Sequence, residues 1–250
     1  MPPPLTRKKP LFASYSEALD TEYVVYVEPP DGPPGPPGYP TVILVDGDYA
    51  FDPAAAACRN LRRTNLIAPI VLAAVGYGRP FGHAGNRRGR DYTPDTAQEE
   101  PLSGGADRFL AHLTGPIWAD LADRFSLSPE RRVVGGHSLG GLFALHALFQ
   151  MKPFFSGAIV GAPSLWWADR RFLARVDHLR DRKSSLPGRL FLGIGERDTE
   201  SMKKDMEAFE TQLAARPFTG LTLTSLTLAD RDHYDVAKDL FRAGLQNLLL

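Results

Sequence analysis

The run Gly136-His137-Ser138-Leu139-Gly140-Gly141 pairs a nucleophile with backbone able to present it. It follows an apolar extended stretch, Arg132-Val133-Val134, and leads into a helical pattern carrying Leu142, Phe143, Leu145, Leu148 and Phe149. A serine on a sharp strand-to-helix turn has strained backbone angles, so its neighbours must be small. Such a turn points Oγ out of the sheet at the positive end of a helix, where the N–H of Leu139 faces a developing oxyanion. The chemistry implied is acyl transfer through a serine ester. The bare pattern is common; the strand before it and the apolar helix after it give it weight.

A serine hydroxyl needs a base, and the base needs an acid to hold its tautomer. On a strand-elbow-helix scaffold the chain order is serine, acid, histidine. His83 and His112 precede Ser138, and His146 lies two turns along the same helix. His178 sits in a charged helical stretch before the last two predicted strands. His137 adjoins the serine and is expected to point elsewhere, because neighbouring side chains diverge at the elbow. His233 remains, in the polar loop Asp230-Arg231-Asp232-His233. The acid is expected after the preceding strand, in Gly195-Glu196-Arg197-Asp198. Asp198 has the better spacing, with Glu196 the alternative.

A second oxyanion donor is expected from the turn after an earlier strand, Asp46-Gly47-Asp48-Tyr49, through the N–H of Gly47 or Asp48. No His-x-x-x-His, clustered Asp/His pattern or phosphate loop appears, so neither a metal nor another cofactor is expected. Two further groups bear on substrate. Arg79, Arg87, Arg88 and Arg90 cluster in one stretch, where guanidinium groups pair with anionic oxygens or stack on rings. Trp166 and Trp167 are placed to line an acyl or aromatic pocket, or to pack under the sheet edge.

These side chains need a scaffold, and the hydrophobic pattern supplies one. Strands are predicted at 23–27, 41–45, 69–75, 132–135, 158–160, 190–194 and 221–228. Helices are predicted at 54–63, 104–125, 142–150, 202–215 and 236–250, the first with Asp52 as N-cap and Pro53 in its first turn. Strands alternating with helices imply a mostly parallel sheet covered on both faces. The proline-glycine stretch 29–40 reads as a polyproline-type surface loop. Residues 76–105 read as a long loop near the carboxyl edge of the sheet, where ligands bind. No repeat or linker interrupts the chain, and one domain over 1–250 is expected.

Bulk properties narrow the classes. Lys+Arg and Asp+Glu both number 29, so the formal net charge is zero and neither nucleic acid nor an anionic membrane is suggested as a partner. Cys58 is the only cysteine, which excludes an intrachain disulfide. Met1-Pro2-Pro3-Pro4 precedes no apolar signal region, and no later stretch is long enough to span a bilayer, so a cytoplasmic protein is expected.

The sequence resembles the esterase branch of the α/β-hydrolases, in particular bacterial siderophore esterases that open enterobactin- or bacillibactin-like trilactones. The likeness runs from Tyr39 onward. It rests on the strand leading to Asp46-Gly47, on Arg90-Asp91-Tyr92-Thr93-Pro94, and on Gly104-Gly105-Ala106 through Phe109-Leu110. Further along it rests on the elbow, on Pro163-Ser164-Leu165-Trp166-Trp167, and on Asp232-His233-Tyr234. The resemblance implies an α/β-hydrolase fold and a serine carboxylesterase with Ser138 and His233 in the leading roles, acting on a small-molecule ester. The same branch includes feruloyl and acetyl-xylan esterases and mycolyl transferases, so membership alone does not fix the substrate. An acyltransferase with the same nucleophile and a catalytically silent binding module are the alternatives, and the oligomeric state stays open.

Overall fold

The computed structural model describes residues 5–249. Residues 1–4, where the N-terminal reading begins, and residue 250, the end of the last predicted helix, lie outside them. Eight strands form one sheet in the order β1-β2-β4-β3-β5-β6-β7-β8. These are β1 Phe12–Ser16, β2 Thr21–Glu28, β3 Tyr39–Leu44, β4 Val71–Gly76, β5 Leu127–His137, β6 Gly157–Gly161, β7 Ser185–Gly195 and β8 Thr219–Leu228. β1 and β2 are antiparallel to their neighbours, and every pairing from β4 to β8 is parallel. This is the mostly parallel sheet expected from the alternating pattern, in the α/β-hydrolase arrangement that the resemblance implies.

Both faces are covered, which is why the central strands read as unbroken apolar runs. Ile43, Val134, Val160 and Leu192 face a core shared with α3 Ala106–His112, α5 Leu139–Leu148, α6 Trp167–Arg182 and α7 Glu200–Ala215. Their neighbours Val42, Leu44, Val133, Ile159 and Phe191 face the opposite core, under α1 Gly47–Arg63 and α8 Ala237–Leu249. The period of two along each strand sorts these side chains between the layers.

Three local expectations are corrected. Helix α1 begins at Gly47, not after Asp52, so Pro53 lies inside it. Pro53 has no N–H for the carbonyl four residues back, and burial of Tyr49, Ala50 and Phe51 outweighs that missing bond. The helix expected over 104–125 is split: α3 passes through a π-turn at Leu113–Ile117, which contains Gly115 and Pro116, into α4 Trp118–Arg124. The 76–105 stretch is not a featureless loop. It contains the short helix α2 Arg88–Asp91 and is anchored by the buried Asp91 carboxylate, which accepts the hydroxyls of Tyr23 (2.7 Å) and Tyr77 (3.0 Å).

The topological switch falls beside β3, which has β4 on one side and β5 on the other. Chains leaving the carboxyl ends of β3 and β5 diverge there and leave a crevice. Asp46 follows β3 and Ser138 follows β5, so both open onto it. Among the described residues no helix is long and apolar enough to cross a membrane.

Candidate active site

Ser138 has φ 59° and ψ −120°, outside the ordinary regions for a residue with a side chain. The turn persists because its surroundings over-determine it. The Ser138 N–H donates to the carbonyl of Gly161 (2.9 Å), and its own carbonyl accepts from Leu142 (3.0 Å) and Ser164 (3.1 Å). A Cβ at Gly141 would stand 2.7 Å from the carbonyl oxygen of Gly161. One at Gly136 would run into the carbonyl of Gly140. Only glycine lets the elbow, the helix and β6 approach this closely. Leu139 opens α5, so its N–H is one of the first-turn donors without an intrahelical partner.

His233 reaches the same crevice from the loop after β8. Asp232 shapes that loop by accepting the N–H groups of Tyr234 (2.8 Å) and Asp235 (3.0 Å) on one carboxylate oxygen. The loop after β7 is zipped to it: Arg197 N–H donates to the carbonyl of Arg231 (2.8 Å), and Glu196 N–H to that of Leu228 (2.9 Å). The zipper brings Asp198 Oδ2 to 3.0 Å from His233 Nδ1. Asp198 Oδ1 accepts the Thr199 N–H at 2.8 Å. Burial pushes the Asp198 carboxyl up, but the bond and charge of His233 and the Thr199 N–H outweigh it and hold the carboxyl below the usual range. Glu196 is engaged elsewhere, accepting the Asp230 N–H at 2.9 Å.

Ser138, His137 and His233 line one cavity of about 460 Å³ with Asp46, Tyr49, Phe81, Arg88, Tyr234 and Phe241. Ser138 Oγ lies 3.3 Å from Ser164 Oγ, and no hydrogen bond to His233 is closed. Arg88 grips Asp46 with two parallel bonds, Nε at 2.9 Å and Nη2 at 2.8 Å, and its guanidinium lies 4.7 Å from the centre of the Phe81 ring. Burial would lower the Arg88 pKa, yet the Asp46 carboxylate holds it above its ordinary value, so this wall of the cavity carries a permanent cation.

The family model described as "Putative esterase" matches residues 16–245. The chain belongs to this esterase family. Ferri-bacillibactin esterase BesA of Bacillus subtilis is 31% identical over 192 residues, covering 70% of this chain and 65% of that protein. The siderophore triacetylfusarinine C esterase of Aspergillus fumigatus is 36% identical over 133 residues, covering 51% of this chain and 45% of that protein. The match thus spans less than two thirds of the length of either relative. Among solved structures, the BES protein of Bacillus cereus superposes with a TM-score of 0.86 at 23% identity, over 96% of this chain and 95% of that one, which shows a shared fold.

Other residues singled out in the sequence of this esterase-family chain lie apart from the cavity. Gly47 and Asp48 are buried in the first turn of α1, behind the lining residue Asp46. The Asp48 carboxylate accepts from the Tyr26 hydroxyl (2.9 Å) and the N–H groups of Tyr77 (2.6 Å) and Gly78 (2.9 Å), a structural engagement. Arg87 borders a small surface cavity with Asp20 and Arg79. Arg90 is tied to Asp91 (2.7 Å) and to the carbonyl of Leu19 (2.8 Å). Of the four loop arginines, Arg88 alone lines the serine cavity. Trp166 and Trp167 line a separate cleft with residues 96–101. Trp167 is buried and donates its indole N–H to the carbonyl of Asp95 (2.8 Å), while Trp166 is half exposed.

His137 does not point elsewhere. Its ring lies against that of His233, because β5 continues its pleat up to the elbow and His137 faces the neighbouring loop instead of diverging. Sequence reasoning also passed over Asp46, Tyr49, Phe81 and Ser164. Ser164 lies within Pro163-Ser164-Leu165-Trp166-Trp167, one of the strings that carry the family resemblance, and that was the available signal.

Proposed function

We propose that the protein hydrolyses a small-molecule carboxylic ester through an acyl-serine intermediate, with a siderophore-type ester as its substrate class. The observation that carries this reading is the strained Ser138 elbow opening into the cavity lined by a histidine that is hydrogen-bonded to a buried acid.

Ser138 Oγ attacks the ester carbonyl as His233 Nε2 takes its proton. Asp198 accepts from Nδ1, which fixes the tautomer that leaves Nε2 free and stabilises the imidazolium that forms. The tetrahedral oxyanion sits against the N–H of Leu139 at the positive end of α5. His233 then returns the proton to the leaving alcohol, and water repeats the sequence on the acyl-serine. Of the two acids considered, Asp198 is assigned the orienting role. Arg88 is the specificity element: a guanidinium flanked by the Phe81 ring suits a planar substrate portion rich in anionic oxygens. The two relatives described above are siderophore esterases, which supports this substrate class.

The test is a fluorophosphonate probe applied to wild-type protein, Ser138→Ala and His233→Ala, beside hydrolysis of a short p-nitrophenyl ester and of a siderophore trilactone. Labelling is expected in the wild type and lost in Ser138→Ala, with both esters left intact by either variant. Product analysis with an added alcohol separates hydrolysis from acyl transfer. A folded wild type that the probe does not label overturns the mechanism.

A further inference from the structure

The turn after β6 brings a second hydroxyl to the nucleophile. Ser164 is 1% exposed, and its Oγ lies 3.3 Å from Ser138 Oγ. Among the described residues this hydroxyl has no other hydrogen-bond partner. Its placement is fixed by backbone: Ser164 N–H donates to the carbonyl of Ser138 (3.1 Å), and the Ser164 carbonyl accepts from Trp167 (3.1 Å). Ser138 N–H in turn donates to Gly161 (2.9 Å), so elbow and turn hold each other from both sides. A buried hydroxyl with one neighbour must spend its proton or its lone pair there or leave it unmade, which is costly.

Each hydroxyl has one proton. While both are intact either can donate. Once His233 draws the proton from Ser138, Oγ can only accept, and Ser164 can only donate to it. We propose that Ser164 is a positioning residue for the nucleophile: its O–H points at Ser138 Oγ, fixes the rotamer, and leaves the Ser138 proton directed to His233. No proton is lost from Ser164. The proton leaving Ser138 goes to His233 and then to the departing alcohol, and Ser164 keeps its own throughout.

This inference rests on Ser138 being the nucleophile, and the test separates the two ideas. Wild type, Ser138→Ala and Ser164→Ala are compared for the rate of fluorophosphonate labelling, for kcat and KM on p-nitrophenyl acetate, and for thermal unfolding. Ser164→Ala removes one oxygen from a buried site and leaves no orphaned partner, because Ser138 Oγ faces the cavity. Labelling rate and kcat are expected to fall about ten-fold, the scale of one ordinary hydrogen bond, with KM and the unfolding midpoint unchanged. Labelling of Ser164→Ala as fast as wild type, or faster, overturns the proposal, since the contact would then be idle or would compete with His233. A loss accompanied by raised KM and a lowered midpoint also overturns it, marking Ser164 as packing. An unlabelled wild type removes the serine mechanism itself, and with it this role.

Discussion

The ring of His137 lies 4.5 Å from the ring of His233, tilted by 48°. His137 Nε2 is sealed from solvent and has no hydrogen-bond partner among the described residues. Burial, reinforced by the facing His233 and by Arg88 and opposed only by Asp198, pushes its pKa down to about 3. An ordinary histidine titrates near 6.5. Between those values the unfolded chain binds a proton that the folded chain refuses, so stability rises with pH there. The contribution is complete above about pH 6.5 and is lost as pH falls toward 3. The thermal midpoint, measured from pH 7.5 to 4, is therefore expected to drop from pH 6.5 downward. His137→Phe keeps a ring against His233 and removes the titration, so its profile is expected to be flatter over this window. Parallel profiles for the two proteins would contradict the assignment.

The pairing of Asp198 with His233 predicts an asymmetry between the two acids of the β7 loop. Asp198→Asn keeps the shape but disfavours the tautomer that leaves Nε2 free, and kcat is expected to fall on the order of 10³–10⁴-fold. Glu196→Gln can still accept the Asp230 N–H, and its kcat is expected within about three-fold of wild type. Steady-state kinetics on a single ester decides. Because the Asp198 carboxyl is held below its ordinary range, the stability it contributes is present above about pH 4 and is lost as pH falls through the lowered value. That acid-limb loss is expected to be absent from Asp198→Asn.

Much of this arrangement was legible in the sequence, for identifiable reasons. The parallel strands are apolar on both faces, so runs such as Val42-Ile43-Leu44 announced themselves. The elbow has an intrinsic signature because close approach imposes Gly136, Gly140 and Gly141 around Ser138. Chain order then isolated His233. What stayed hidden depends on contacts between distant segments. β1, with Phe12-Ala13-Ser14-Tyr15-Ser16, is short and half polar, and only its pairing with β2 defines it. The start of α1 was masked by Pro53, which reads locally as a first-turn residue. The joining of Arg88 to Asp46 spans 42 positions, and nothing in the arginine cluster marks Arg88 apart from Arg87 or Arg90. The fold of the 76–105 stretch, anchored through Asp91, turns one of the four guanidinium groups into the cavity.

That selection predicts different outcomes for Arg88 and Arg87. Arg88 meets Asp46 with two parallel bonds and a ring on its flank, a geometry that the point charge of lysine cannot reproduce. Arg88→Lys keeps the charge and loses the fork, so KM for an anionic siderophore ester is expected to rise about ten-fold, while KM for a small neutral ester changes little. Arg88→Ala also strands the Asp46 carboxylate, whose side chain is 10% exposed. A loss of about 1–3 kcal/mol in unfolding free energy is expected for that variant, measured by urea titration. Arg87→Ala leaves the serine cavity untouched, and both KM values are expected to match wild type. The outcome that would remove Arg88 from substrate recognition is an equal rise in KM for the neutral and anionic esters in Arg88→Lys. That result would locate its effect in the shape of the cavity wall, through Asp46 and Phe81, and not in its charge.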